Sequence, residues 1–135
     1  SPHQWSDVPP QDEERMEQAI RIAASLCQRA LKSGMNAGFA TNACFQGRQG
    51  KGEYIYVPTA AGSGQGDKLM DTMARMALHR ELTFPTFLGE LKNVEGEDIL
   101  IISFYEDDET RAAVNVLRQQ GNNVSVYRME RGVRV

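Results

Sequence analysis

Cysteine is scarce in this chain. Cys27 and Cys44 are the only two, and they do not form a CxxC pair. Two lone thiols point to a reducing compartment rather than to a disulfide scaffold. Histidine is equally sparse. His3 and His79 stand far apart, and neither has a neighbour at metal-ligand spacing. No apolar run approaches the ~20 residues of a membrane-spanning helix, and no signal peptide is visible. An excess of positive charge is missing too. The net charge is -3, which argues against nucleic acid or an anionic membrane as the main partner, because both need a basic patch. Only Arg128, Arg131 and Arg134 are locally basic, and they read as a solvated strand end. None of Ser25, Ser33, Ser63, Ser103 or Ser125 sits in a Gly-x-Ser-x-Gly setting, and no nucleophile–base pair stands out. The first residue is Ser rather than Met. The expectation is a processed product or a piece of a longer protein, with a membrane anchor upstream left open.

What the chain does have is one strongly apolar stretch, Asp98-Ile99-Leu100-Ile101-Ile102-Ser103-Phe104, running into Glu106, Asp107, Asp108 and Glu109. Four consecutive aliphatic residues leave no polar face. This predicts a central parallel strand covered on both sides. The acidic run follows at the strand's carboxyl end, where open α/β sheets form their ligand crevices.

The 135 residues, 41% hydrophobic and 24% charged, are enough for one domain with a core. Residues 1–11, with Pro2, Pro9 and Pro10, read as an extended lead-in in which Trp5 covers an apolar edge. Residues 12–135 read as a single α/β domain. An amphipathic helix is predicted over 12–33, capped by Asp12, with Met16, Ala19, Ile20, Ala23, Cys27, Ala30 and Leu31 on one face. Ile22 and Leu26 widen that stripe, and Gly34 stops the helix. A strand follows over 35–41, in which Ala37, Gly38 and Ala40 are small enough for close approach. After a Gly-rich loop over 42–52, a strand over 53–58 is too near for a crossover helix, so the two strands should be antiparallel. A flexible loop over 59–66 leads to a helix over 67–79 and a short helix within 82–91. The central strand then precedes a helix over 107–120, with Ala112, Ala113, Val116 and Leu117 inward and Gly121 at its end. A last strand covers 123–129. This order implies a three-layer α/β fold.

Two features could carry a contact. Gly62, Ser63, Gly64, Gly66 and Asp67 open a helix, and helix starts bind anions. Yet Asp67 stands where a P-loop has glycine before its lysine, and it would repel phosphate. Glu106, Asp107, Asp108 and Glu109 could face a divalent cation, but a hard-ion site needs oxygens converging from several segments. Their plainer use is to cap a helix and complement its dipole.

Two segments together carry a resemblance. The first is Glu14-Arg15-Met16-Glu17-Gln18-Ala19-Ile20-Arg21-Ile22-Ala23-Ala24-Ser25-Leu26, followed by Gly34-Met35-Asn36-Ala37-Gly38-Phe39-Ala40-Thr41-Asn42. The second is Ile101-Ile102-Ser103-Phe104-Tyr105-Glu106-Asp107-Asp108, followed by Gly121 and Asn123-Val124-Ser125-Val126-Tyr127. The chain resembles the C-terminal part of a bacterial von Willebrand factor A-like family (domain-of-unknown-function family fifty-eight), whose members are often encoded beside MoxR-type AAA+ ATPases. The resemblance implies a three-layer Rossmann-like, von Willebrand A-type sheet lacking its first strand. The family's metal motif, Asp-x-Ser-x-Ser, is absent. Its fourth-strand aspartate falls near Phe104 and Tyr105, and only Thr59 answers to its loop threonine. No metal or cofactor is therefore expected. The expected function is a non-enzymatic protein-interaction module, cytoplasmic, from a parent with upstream membrane helices. The resemblance also implies a MoxR-type AAA+ ATPase as partner, and exposed strand edges could add a homodimer. The alternative is a nucleotide- or small-ligand-binding enzyme domain using the strand-end crevice. The contact residues expected in either case are Gly62, Ser63, Gly64, Gly66, Asp67, Glu106, Asp107 and Asp108.

Overall fold

The computed structural model describes residues 10–104 and 107–129. Residues 1–9 of the predicted lead-in, with Trp5, and also Glu106, Arg131 and Arg134, fall outside them; residues 10 and 11, expected to be extended, are helical. The protein is α/β. Its elements are α1 (Pro10–Lys32), β1 (Ala37–Thr41), β2 (Ala43–Phe45), β3 (Ile55–Ala60), α2 (Ser63–Ala74), β4 (Met76–Arg80), α3 (Phe84–Gly89), β5 (Asp98–Ser103), α4 (Asp108–Gln119) and β6 (Asn123–Arg128). The chain divides into two compact units, Ser1–Thr83 and Phe84–Val135. The described strands pair two at a time: β1 with β3, β2 with β4, and β5 with β6.

In the first unit, α1 begins at Pro10, two residues before the expected cap. Proline suits a helix's first turn, where its missing N–H has no partner to lose. The helix ends in a Schellman motif. Gly34 takes φ 81°, its N–H donates to the Leu31 carbonyl, and the Met35 N–H donates to the Ala30 carbonyl. Helix α1 packs on α2 and β1. Cys27, Ala37, Ala43, Ile55, Val57, Leu69, Met73 and Met76 form the buried core. Cys27 is the small core residue its position in the stripe predicts.

The β1–β3 pair is antiparallel, as the short connection required, with Phe39 opposite Val57 and Ala37 opposite Ala60. Two residues of β3, Pro58 and Thr59, thus stand opposite one of β1. The irregularity falls at Pro58, which has no N–H to give to the ladder. Opposite it sits Gly38. A Cβ there would lie 2.6 Å from the Val57 carbonyl oxygen and 2.9 Å from the Thr59 nitrogen. The close approach expected at 37–40 is thus the backbone of the neighbouring strand.

Two elements differ from expectation. Residues 43–45, expected in a Gly-rich loop, form β2, where Cys44 is buried. Residues 76–80, expected to extend a helix over 67–79, form β4, antiparallel to β2 with Phe45 opposite Met76. Helix α2 stops at Ala74 with Arg75 as its cap, and Arg75 lies 5.1 Å over the Phe45 ring. Tertiary pairing with β2 overrides the helical spacing of Met70, Met73 and Ala77.

In the second unit β5 and β6 are parallel, in register from Asp98 with Asn123 to Ser103 with Arg128. The connection is α4, which packs on β6 and α3. Asn122 fastens the turn before β6. Its Nδ2 donates to the Val94 and Leu117 carbonyls, and its Oδ1 accepts from the Glu97 N–H. The expectation that β5 is covered on both faces is met on one only. Ile101, Ser103 and Val124 are buried, whereas Leu100 is 44% exposed. The expected inward face of α4 also shifts. Thr110, Val114 and Leu117 are buried, while Val116 is 50% exposed and Ala112 is exposed.

Candidate functional site

The glycine-rich candidate is the first turn of a helix rather than a loop leading to one. Gly62 is the N-cap residue of α2, with φ 96° and no side-chain cap. Ser63, Gly64 and Asp67 are exposed, and Gly66 is half-buried, its α-carbon side facing Leu31. Between them Gln65 is buried. Its Nε2 donates to the Ala37 carbonyl at 2.8 Å and to the Pro58 carbonyl at 3.0 Å. That bifurcated contact ties α2 to both strands beside the Pro58 irregularity, where a disturbed ladder leaves carbonyls to satisfy. The turn is held by this side chain, and its outer surface, Ser63, Gly64 and Asp67, faces solvent.

The acidic candidate divides as well. Asp107 is the N-cap of α4, with φ -119° and ψ 172°, and its Oδ1 accepts the Thr110 N–H at 2.7 Å. That hydrogen bond holds the Asp107 carboxyl below its ordinary pKa, because it favours the charged form. Asp108 is open to solvent and pairs with Arg111 one turn along. Both carboxylates therefore serve the helix start, as the capping reading has it. Glu106 lies outside the described residues. Gly62, Ser63, Gly64, Gly66 and Asp67 belong to the first unit, Asp107 and Asp108 to the second. Among the described residues, no group of three His, Cys, Asp or Glu side chains is placed to hold a metal ion.

Two features escaped the sequence reading. The first is an apolar sheet face in the second unit. Side chains alternate along a strand, and register partners share a face. Leu100 and Ile102 of β5 therefore lie on the same side as Tyr127 of β6, the register partner of Ile102. Leu100 is 44% and Tyr127 50% exposed, with Ile102 half-buried between them. Among the described residues, no strand other than β6 pairs with β5. Glu97 and Ser103 direct their carbonyls to β6, so the alternate residues Asp98, Leu100 and Ile102 direct theirs away from it.

The second is a carboxylate cluster in the first unit. Glu81 follows β4, and its side chain is 2% exposed. One oxygen accepts the Gly52 N–H at 2.6 Å. The other accepts the Gly50 N–H at 2.9 Å and His79 Nε2 at 2.6 Å. Burial alone would raise its pKa, but these donors outweigh burial and hold it below the ordinary value. The Cys44 thiol is pushed up, first by burial and then by the Glu81 and Glu53 carboxylates. It is a protonated thiol, not an activated nucleophile.

No protein-family model, no curated protein and no solved structure matches the chain. No helix among the described residues is long and apolar enough to cross a membrane.

Proposed function

We propose that this chain is a protein-interaction module without catalytic activity, and that it docks partners on the open side of the β5–β6 sheet. The observation that carries the reading is the juxtaposition of Leu100, Ile102 and Tyr127 beside a strand edge that no other described strand pairs with. Exposed aliphatic and aromatic side chains on a rigid sheet are the usual substance of protein docking sites. An open edge adds main-chain hydrogen bonds to whatever extended segment lies along it. The acidic residues at the start of α4, Asp107 and Asp108, would then form a polar rim rather than a ligand site, since their carboxylates are engaged within the helix.

The von Willebrand A-type architecture belongs to the same proposal. It draws support from the parallel β5–α4–β6 unit and from the antiparallel β1–β3 pair that follows an amphipathic helix. On that reading the partner to try first is a MoxR-type AAA+ ATPase. Pairing of two copies through β5 is the competing use of the same edge.

The test is a binding titration of the purified chain against such an ATPase, with Leu100→Asp and Tyr127→Asp variants alongside. Loss of binding in both, with unchanged circular dichroism, supports the module. A rise in melting temperature with a nucleotide and Mg²⁺ would instead favour a ligand-binding enzyme domain, because a ligand of the native state stabilises it. Light scattering that shows a dimer abolished by Leu100→Asp would assign the edge to self-association.

A further inference from the structure

The Glu81 cluster plays no part in that docking surface, yet it is built in detail. Residues 46–54 connect β2 to β3. Gly50 takes φ 84° and Gly52 φ 69°, a left-handed backbone that brings both N–H groups onto one carboxylate. Convergent amides of this kind form a concave anion seat, here filled by the chain's own Glu81. The far side of the clasp is fixed. The Glu81 N–H donates to the Asn42 carbonyl at 2.9 Å, and Asn42 Nδ2 donates to the Leu82 carbonyl at 2.8 Å. The Arg48–Glu53 pair and the contact of the Gly47 N–H with Gln49 stay within the loop. At its near end the loop is anchored by the Arg48 N–H, which donates to the Phe45 carbonyl of β2 at 3.0 Å, and the hydrogen bonds of Gly50 and Gly52 to Glu81 fasten its far part. Behind the same carboxylate lies Cys44, buried in β2.

We propose that Glu81 is the clasp of a conformational gate, in which the loop over 47–53 is held shut by its carboxylate and opening exposes Cys44. The charged and titratable groups around the clasp are His79 on β4, Cys44 on β2, and Arg48, Lys51 and Glu53 on the loop. Arg80 alternates to the opposite face of β4. The gate stays closed while the carboxylate is ionised, since only the anion accepts all three donors at once. It opens as acid protonates Glu81.

The deciding variant is Glu81→Gln. An amide has one accepting oxygen and places an NH₂ against a glycine N–H or His79, so one donor at least loses its partner. In a Cys27→Ala background, the rate of Cys44 alkylation at neutral pH should rise about tenfold or more, and so should amide exchange at Gly50 and Gly52, as expected for losing a hydrogen bond to a charged group. Exchange in α1 and α2 should stay as it was. Unchanged labelling, or faster exchange spread over the helices as well, overturns the gate. Should Glu81→Gln not fold, acidifying the unaltered chain decides the matter. The Gly50 and Gly52 amide resonances must move in the same acid step, ahead of any loss of circular dichroism, and simultaneous loss of both refutes the proposal.

Discussion

Gly38→Ala is the substitution on which the structure speaks most sharply. The added methyl would meet the Val57 carbonyl oxygen at 2.6 Å, the Thr59 nitrogen at 2.9 Å and the Pro58 carbonyl carbon at 3.1 Å. All three are backbone atoms, so no rotamer change relieves the clash. Either β1 separates from β3 or the Pro58 irregularity rearranges. Both disturb the Gln65 contact that bridges the two strands at this point. Forced overpacking of this kind costs about 1–3 kcal/mol. In a chain of this length that lowers the melting temperature by roughly 3–10 °C. The assay is a thermal melt followed by circular dichroism, with amide exchange at Phe39 and Val57 to localise the loss. Gly64→Ala is the matched control. Nothing lies within 4 Å of its Cβ position, and alanine in a helix is better than glycine by up to about 1 kcal/mol, so its melting point should hold or rise. A Gly38→Ala change below about 0.5 kcal/mol, the range of an ordinary surface substitution, would refute the close-approach argument.

Other outcomes follow from the same geometry. Leu69 is fully buried in the first unit's core, so Leu69→Ala should cost about 2–5 kcal/mol in a denaturant titration. Asp107→Ala should lower the melting temperature at neutral pH by removing the N-cap of α4. Because the folded pKa of Asp107 lies below its ordinary value, the cap's contribution is present above the ordinary carboxylate range and lost as pH falls through the lowered value. The gap between Asp107→Ala and the unaltered chain should therefore close in acid. Leu100→Asp, on an exposed site, should change stability by less than about 0.5 kcal/mol while abolishing partner binding.

The parts that could be read from sequence are those where local signals and tertiary packing agree. Helix α1 announces itself through helical spacing from Met16 to Leu31 and through Gly34. The parallel β5–α4–β6 unit follows from an aliphatic run, an aspartate cap and Gly121. Strand β4 was hidden because the spacing of Leu69, Met70 and Met73 runs on through Met76 and Ala77 with no glycine or proline between. Strand β2 was hidden because Ala43 and Cys44 adjoin a glycine-rich stretch and are only three residues long with Phe45. At the candidate site, the capping role of Asp107 was legible from its position before a helix. The burial of Glu81 was not, since its partners are backbone amides about thirty residues earlier in the chain. Gly47, Gly50 and Gly52 were the available hint: a loop so rich in glycine needs something to hold it. The openness of Leu100 was equally hidden, because an aliphatic run gives burial on average and not which face goes uncovered.

The division into Ser1–Thr83 and Phe84–Val135 has a bearing on biosynthesis. Each unit draws its internal contacts from one unbroken stretch, so neither has to wait for distant sequence. Should the first fold without the second, it would do so while the second is still being translated, an interval of about several seconds at ordinary elongation rates. Newly made chains would then expose the greasy surface of only one half at a time.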